Sequence, residues 1–266
     1  MNLIDIGANL THKSFEHDFQ QVVDDARSAG LTHIILTGTD RETSEAASRF
    51  AGATPDFFSG TAGFHPHVAQ SFNTEQYAAV AALCELEQVV AVGETGLDFN
   101  RNYSPRQDQL DCFEQHLEIA AAVGKPLFLH QRDAHEDFLA ILKRHRGRVA
   151  GGVVHCFTDT LAALRDYLEL DMHIGVTGWI CDERRGVELQ AMVRYIPPDR
   201  LLLETDSPYL LPRNLRPKPP GRRNEPKYLT AVLDKVAECT GKDREEIAGR
   251  TTENAVRLFG LKDPSI

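Results

Sequence analysis

Leu201-Leu202-Leu203-Glu204-Thr205-Asp206 reads as a short buried strand that ends in two carboxylates. The same arrangement recurs along the chain. Residues 57–63 lead into Phe64-His65-Pro66-His67, residues 89–93 into Glu94, residues 126–129 into His130, and residues 151–154 into His155. Carboxylates and imidazoles are the side chains that bind hard or borderline divalent metals. Scattered residues would fall on helices and loops as often as at strand tips. The pattern predicts a metal-dependent enzyme.

Working outward, apolar β-rich runs alternate with segments of helical periodicity. Strands are expected near residues 3–6, 33–38, 57–63, 89–94, 126–130, 151–155, 172–176 and 201–206. Helices are expected near 14–29, 43–52, 74–87, 105–124, 134–146, 159–169, 185–195 and 226–240, with a helical tail to about 259. Segment 105–124 is the clearest, with Leu110, Phe113, Leu117, Ile119, Ala120 and Val123 on one face and Gly124 as its stop. Alternating strand and helix implies a parallel sheet with right-handed crossovers. Eight such units predict an α/β fold of the (β/α)8 TIM barrel type, a single domain over residues 1–266. A doubly wound sheet is the alternative, but it gathers its groups at one switch point between two or three strands. Five contributing strands favour closure.

The chain has 266 residues and a formal net charge of -10, which argues against whole-surface nucleic-acid binding but leaves room for a local basic groove. Five widely spaced cysteines form no CxxC pair, so a reduced, cytoplasmic protein is expected. No apolar run approaches the length of a membrane span, and no basic segment precedes Leu3-Ile4-Asp5-Ile6, so neither a membrane anchor nor a signal peptide is expected. Nothing demands an obligate protein partner.

Strand alternation puts Leu202, Glu204 and Asp206 on one face, with Glu204 one layer below Asp206, and gives His130 and Arg132 a common direction. A metal among these groups makes a nucleophile of its water, and Asp206 can carry the proton. Each residue alone also has a plainer reading. His65 or His155 can cap a neighbouring loop, Glu94 can be a buried salt-bridge partner, and Asp206 can be a helix cap before Pro208. Together those readings need several coincidences at equivalent sites. Loop 207–225 carries Arg213, Arg216, Lys218, Arg222 and Arg223, with Lys227 just beyond, and either tracks a phosphate backbone or pairs with acidic neighbours. Trp179, Tyr209, Phe64 and Phe99 follow strand ends, where they either stack on bases or pack as a lid.

Specific motifs run in order through the chain. They are Thr61-Ala62-Gly63-Phe64-His65-Pro66-His67, Val92-Gly93-Glu94-Thr95-Gly96-Leu97-Asp98 and Pro126-Leu127-Phe128-Leu129-His130-Gln131-Arg132-Asp133-Ala134. Val154-His155-Cys156-Phe157-Thr158, Ile174-Gly175-Val176-Thr177-Gly178, Leu203-Glu204-Thr205-Asp206-Ser207-Pro208-Tyr209 and Arg223-Asn224-Glu225-Pro226 complete the series. With these the chain resembles, nearly end to end, the TatD family of metal-dependent deoxyribonucleases among the amidohydrolase-like barrels. Within the family it is most similar to the magnesium-dependent branch with 3′→5′ exonuclease activity on single-stranded DNA and RNA.

The resemblance implies that Glu94, His130 and His155 are metal ligands and that Asp206 is a ligand or the catalytic acid/base. It places His65 at the site in contact with substrate phosphate, and His65 is expected to act in catalysis. From the residues themselves, Arg132 is expected to hold a phosphate at the site and to act in catalysis, with His67, Trp179, Arg222 and Arg223 as further substrate contacts. Glu204 and Asn9 are expected behind the ligands. Most of the family opens with Asp-x-His-x-His, whereas this chain has Asp5-Ile6-Gly7-Ala8-Asn9. Losing two nitrogens disfavours tightly bound Zn2+ and favours Mg2+, with Mn2+ as a substitute. One metal is then firmly held and a second only weakly. Hydrolysis of a small amide, lactone or phosphate ester is the competing activity, and a non-catalytic nucleic-acid-binding scaffold the third reading.

Overall fold

The computed structural model describes residues 2–262. Eight parallel strands follow in sequence order around one sheet: β1 Leu3–Ala8, β2 Leu31–Leu36, β3 Phe58–Ala62, β4 Val89–Asp98, β5 Leu127–Arg132, β6 Gly152–Val154, β7 His173–Val176 and β8 Leu201–Leu203. The seam between β8 and β1 closes just beyond the regular strand. Asn9 N–H donates to Ser207 O at 2.7 Å and Asp206 N–H to Gly7 O at 2.8 Å. Asp5, fully buried, draws the two ends together by accepting from Thr205 N at 2.9 Å, Thr205 Oγ1 at 2.5 Å and Gly7 N at 3.2 Å. Burial pushes its carboxyl up to about 8 despite these donors.

The helices form the outer ring: α1 Phe19–Ser28, α2 Arg41–Ala53, α3 Thr74–Glu85, α4 Arg106–Val123, α5 His135–His145, α6 Leu161–Glu169, α7 Val187–Met192, α8 Leu229–Thr240 and α9 Arg244–Phe259. The main core lies between this ring and the strands. A second cluster, including Ile4, Ile6, Ile35, Phe128 and Leu202, fills the barrel and is plugged from below by Ala255 and Phe259 of α9. The barrel is therefore a packed core with one open end, at the C-terminal tips of the strands.

Several boundaries differ from expectation, among them the start of the helix expected at 226–240, where a 3-10 turn, Pro226–Tyr228, precedes α8. The segment expected as helix 14–29 begins as a 3-10 turn, Lys13–Phe15, and α1 starts only at Phe19. The segment expected at 185–195 is a short α7 followed by a 3-10 turn, Val193–Tyr195. β8 stops at Leu203, and Asp206 has a left-handed backbone (φ 54), so strict alternation does not reach it. β4, expected to stop at Glu94, runs on to Asp98 and pairs with β5 as far as Arg132. Gly96 permits this: at φ 144, a Cβ there would lie 1.9 Å from His130 O.

Candidate metal centre

Glu94, nearly fully buried on β4, is the hub. Its Oε1 lies 2.9 Å from His130 Nδ1 on β5, 2.9 Å from His155 Nε2 after β6, and 3.3 Å from His65 Nε2 after β3. His65, Glu94 and His130 offer ligand atoms within 4.8 Å of one another. His155 Nε2 is also 3.4 Å from His130 Nδ1. Behind this ring, Glu204 Oε2 faces His155 Nδ1 at 3.3 Å, and Glu204 Oε1 accepts the Cys156 N–H at 2.5 Å. Asp206 stands at the mouth, its Oδ1 accepting from Asn9 Nδ2 at 3.0 Å.

The charges are strongly coupled. Burial works against ionising Glu94, yet His155 and His65, with hydrogen bonds from His130 and His155, hold it well below the usual carboxylate range. Burial likewise opposes a charge on His155, but Glu94 and Glu204 raise its pKa well above normal. For His130 the same opposition is overcome by Asp98 and Glu94, and its pKa rises. His65 goes the other way, down to about 4, through loss of solvent. Loss of solvent in the mouth pushes Asp206 up to about 7.

The donor set fits a divalent cation. Three ring nitrogens crowd one carboxylate oxygen, more than its two lone pairs can serve as hydrogen-bond partners. His130 Nε2 is buried with no hydrogen-bond partner. A cation among these groups would use the nitrogen lone pairs of His130 and His155 and displace their protons, with Glu94, His130 and His155 as holders. Position 7, where the family pattern has a histidine, cannot take a side chain here. A Cβ on Gly7 would lie 2.7 Å from Glu204 Oε2 and 2.9 Å from the Phe128 ring. The room for a histidine at position 7 is filled.

Other residues singled out in the sequence sit apart. Arg132 is half-buried at the tip of β5 and makes no side-chain hydrogen bond or ion pair among the described residues. His67 Nε2 contacts Asp98 Oδ2 at 2.7 Å. Trp179 donates its Nε1–H to Arg185 O at 3.1 Å and lies under the Arg185 guanidinium. Phe64 and Phe99 are buried and pack, whereas Tyr209 is 53% exposed. Arg223 is held by Asp18, Glu225 and Ser14 O over the Phe15 ring, while Arg222 is exposed.

Asp98 is the site residue that the sequence reading missed. Almost fully buried, its Oδ2 lies 2.7 Å from His67 Nε2 and 3.7 Å from His130 Nε2, and Oδ1 accepts from Asn100 N and Arg101 N. Its signal was its spacing: four residues after Glu94, it shares that face of the strand once β4 is allowed to continue.

Imidazoles and carboxylates from four successive strand tips at the open end of a (β/α)8 barrel define a metal-hydrolase type of site. The comparisons with known proteins narrow the class. A family model described as TatD related DNase matches residues 4–260. The chain is 48% identical over 259 residues to the 3′-5′ ssDNA/RNA exonuclease TatD of Pantoea vagans (strain C9-1), covering 97% of this chain and 100% of that one. A TatD family hydrolase from Entamoeba histolytica superposes with a TM-score of 0.88 at 27% identity, covering 97% of both chains. A TatD homologue from Escherichia coli K12 gives 0.88 at 26% identity and 98% of both. The chain belongs to the TatD-related DNase family.

Proposed function

We propose that this protein is a 3′→5′ exonuclease on single-stranded DNA and RNA, hydrolysing the terminal phosphodiester with Mg2+, which Mn2+ can replace. The observation that carries this reading is the convergence of His65, His130 and His155 on Glu94, with Asp206 beside them at the barrel mouth. The 48% identity to a named exonuclease over nearly the whole chain supports the substrate class. A bound cation would acidify a water and offset phosphate charge. Mg2+ suits a site in which carboxylates and substrate phosphate supply the oxygens. Tightly bound Zn2+ would contradict the assignment.

The remaining work belongs to side chains. Glu94, His130 and His155 would hold the cation. His65 Nδ1 accepts the His67 N–H at 3.1 Å, so its proton sits on Nε2, which faces Glu94 and the position of a phosphate oxygen. Asp206, oriented by Asn9, takes the proton of the attacking water and returns it to the departing 3′-oxygen. Arg132, uncommitted at the tip of β5, and His67 contact the phosphate. Trp179 and the exposed Arg222 are proposed as outer substrate contacts. Arg223 is reassigned, because its ion pairs with Asp18 and Glu225 make it an anchor of the loop rather than a free phosphate ligand.

A cytoplasmic location is proposed from the five free cysteines; among the described residues no helix is long and apolar enough to cross a membrane. The test uses a 5′-labelled single-stranded oligonucleotide and metal-stripped protein with Mg2+ added back. A ladder shortening from the 3′ end, abolished by EDTA, is expected. Folded protein that leaves the strand intact with either Mg2+ or Mn2+ would favour a small-ester hydrolase instead.

A further inference from the structure

A cavity of about 580 Å3 lies at the rim of the open face, between the loop after β8 and the segment joining β7 to α7. Its walls include Cys181, Leu211, Pro212, Arg216, Lys218 and Lys235. The two loops that form it are pinned together. A Cβ on Gly178 would meet Leu210 O at 2.1 Å and the Pro212 ring at 3.2 Å. Cys181 Sγ also reaches Ala231 O on α8 at 3.6 Å. The volume falls in the range of small-ligand pockets, enough for on the order of one or two nucleotide units.

The charges around the cavity sort into two groups. Arg213 is neutralised by Glu183 through contacts of 2.8 and 3.0 Å, and Lys235 by Glu238 at 2.8 Å. Arg216 and Lys218 are different. The Arg216 Nη1 donates to Arg213 O at 3.2 Å and Leu215 O at 2.7 Å, so backbone carbonyls fix the guanidinium without cancelling its charge. Lys218 is exposed and has no ion pair among the described residues. A positioned but uncompensated guanidinium, next to a free ammonium, suits an anion with oxygens on one edge.

The cavity is tied to the catalytic end by the chain itself. Leu211 is five residues past Asp206, a reach of at most about 18 Å. Between them stands Tyr209, 53% exposed, with its N–H on Asp206 O at 2.9 Å. We propose that this cavity is a second seat for the substrate strand, in which Arg216 and Lys218 take backbone phosphates of nucleotides on the 5′ side of the scissile bond. The proposal rests on the exonuclease reading and adds a length dependence to it. A strand long enough to reach the seat is retained, and a dinucleotide is not.

The experiment compares wild type with the double variant Arg216→Ala/Lys218→Ala on thymidine oligonucleotides from two to twelve residues, in Mg2+. For wild type, KM should fall with length and then level off. In the double variant, KM for a ten-mer should rise about tenfold while kcat and the dinucleotide KM stay put. The slope of log affinity against log salt should shrink by about 1.4, the share of two phosphate contacts on a single strand. Equal effects on dinucleotide and ten-mer, or no effect on either, would overturn the seat. Anisotropy of 5′-fluorescein-dT10 on metal-free protein separates the two claims. If wild type cleaves no oligonucleotide, the exonuclease reading fails, and the seat survives only if the double variant still weakens dT10 binding about tenfold. Equal dT10 binding by both proteins refutes it.

Discussion

Glu204 occupies a place that two glycines keep open for it. An added Cβ on Gly7 would lie 2.7 Å from one carboxylate oxygen, and an added Cβ on Gly175 would lie 2.4 Å from the other. The carboxylate is fully buried and faces His155 Nδ1, which fixes the ring so that Nε2 turns to Glu94. A partner of this kind orients a metal-binding imidazole and raises its basicity. Glu204→Gln is therefore expected to weaken Mn2+ binding by about 10–100-fold in a calorimetric titration, while kcat at saturating metal falls much less. Unchanged metal affinity would remove Glu204 from this role, and a complete loss of kcat would place it among the reacting groups. At this scale the sequence was readable in kind and incomplete in number. Strand-tip position exposed Glu94, His130 and His155, because only a parallel barrel collects such tips. Asp98 stayed hidden because its strand was ended too early. The crowding that makes residue 7 a glycine is a property of Phe128 and Glu204, residues far away in the chain.

At the level of elements, β4 and α4 show why boundaries were harder to read than periodicity. The apolar face of α4 and its left-handed Gly124 cap were legible, since both are local. The extension of β4 to Asp98 was not, since Gly93 and Gly96 look like strand breakers until β5 is placed against them. One side chain of α4 also ties this helix to the site. His116 is fully buried, its Nδ1–H donating to Cys112 O at 2.7 Å and its Nε2 accepting the Phe64 N–H at 3.1 Å. Both ring positions are thus assigned to the neutral form, and burial pushes the imidazole down to about 4. An unfolded histidine titrates near 6.5. The stability contributed by this group is full above pH 6.5 and is lost as pH falls from about 6.5 to about 4, by on the order of 3 kcal/mol. Urea midpoints measured across that interval should fall more steeply for wild type than for His116→Gln. Parallel slopes would show that His116 does not carry the loss.

Over the whole molecule, the acidic chain clusters six of its 29 Lys and Arg residues just after β8, yet half of those six serve the fold. Arg213, Arg223 and Lys227 of the six basic residues between positions 213 and 227 are held in ion pairs with Glu183, Asp18, Asp25 and Glu225. Charge counting along the sequence could not separate them from Arg216, Lys218 and Arg222, because their acidic partners lie on other elements. The eight-stranded closure was legible from alternation and strand number. The seam that sets Asp206 in place was not, because it depends on Asp5 meeting Thr205 across 200 positions of sequence. That seam delivers Asp206 to a centre assembled from β3, β4, β5 and β6, and the account stands on Asp206 moving a proton there. The most direct measurement is single-turnover cleavage of a 5′-labelled oligonucleotide in Mg2+ by wild type and Asp206→Asn, with strand affinity and folding checked in parallel. The account predicts a loss of about 10²–10⁴-fold in the cleavage rate with folding intact and strand binding largely kept. A rate within about threefold of wild type would contradict it, since a proton-transfer role is worth far more than that.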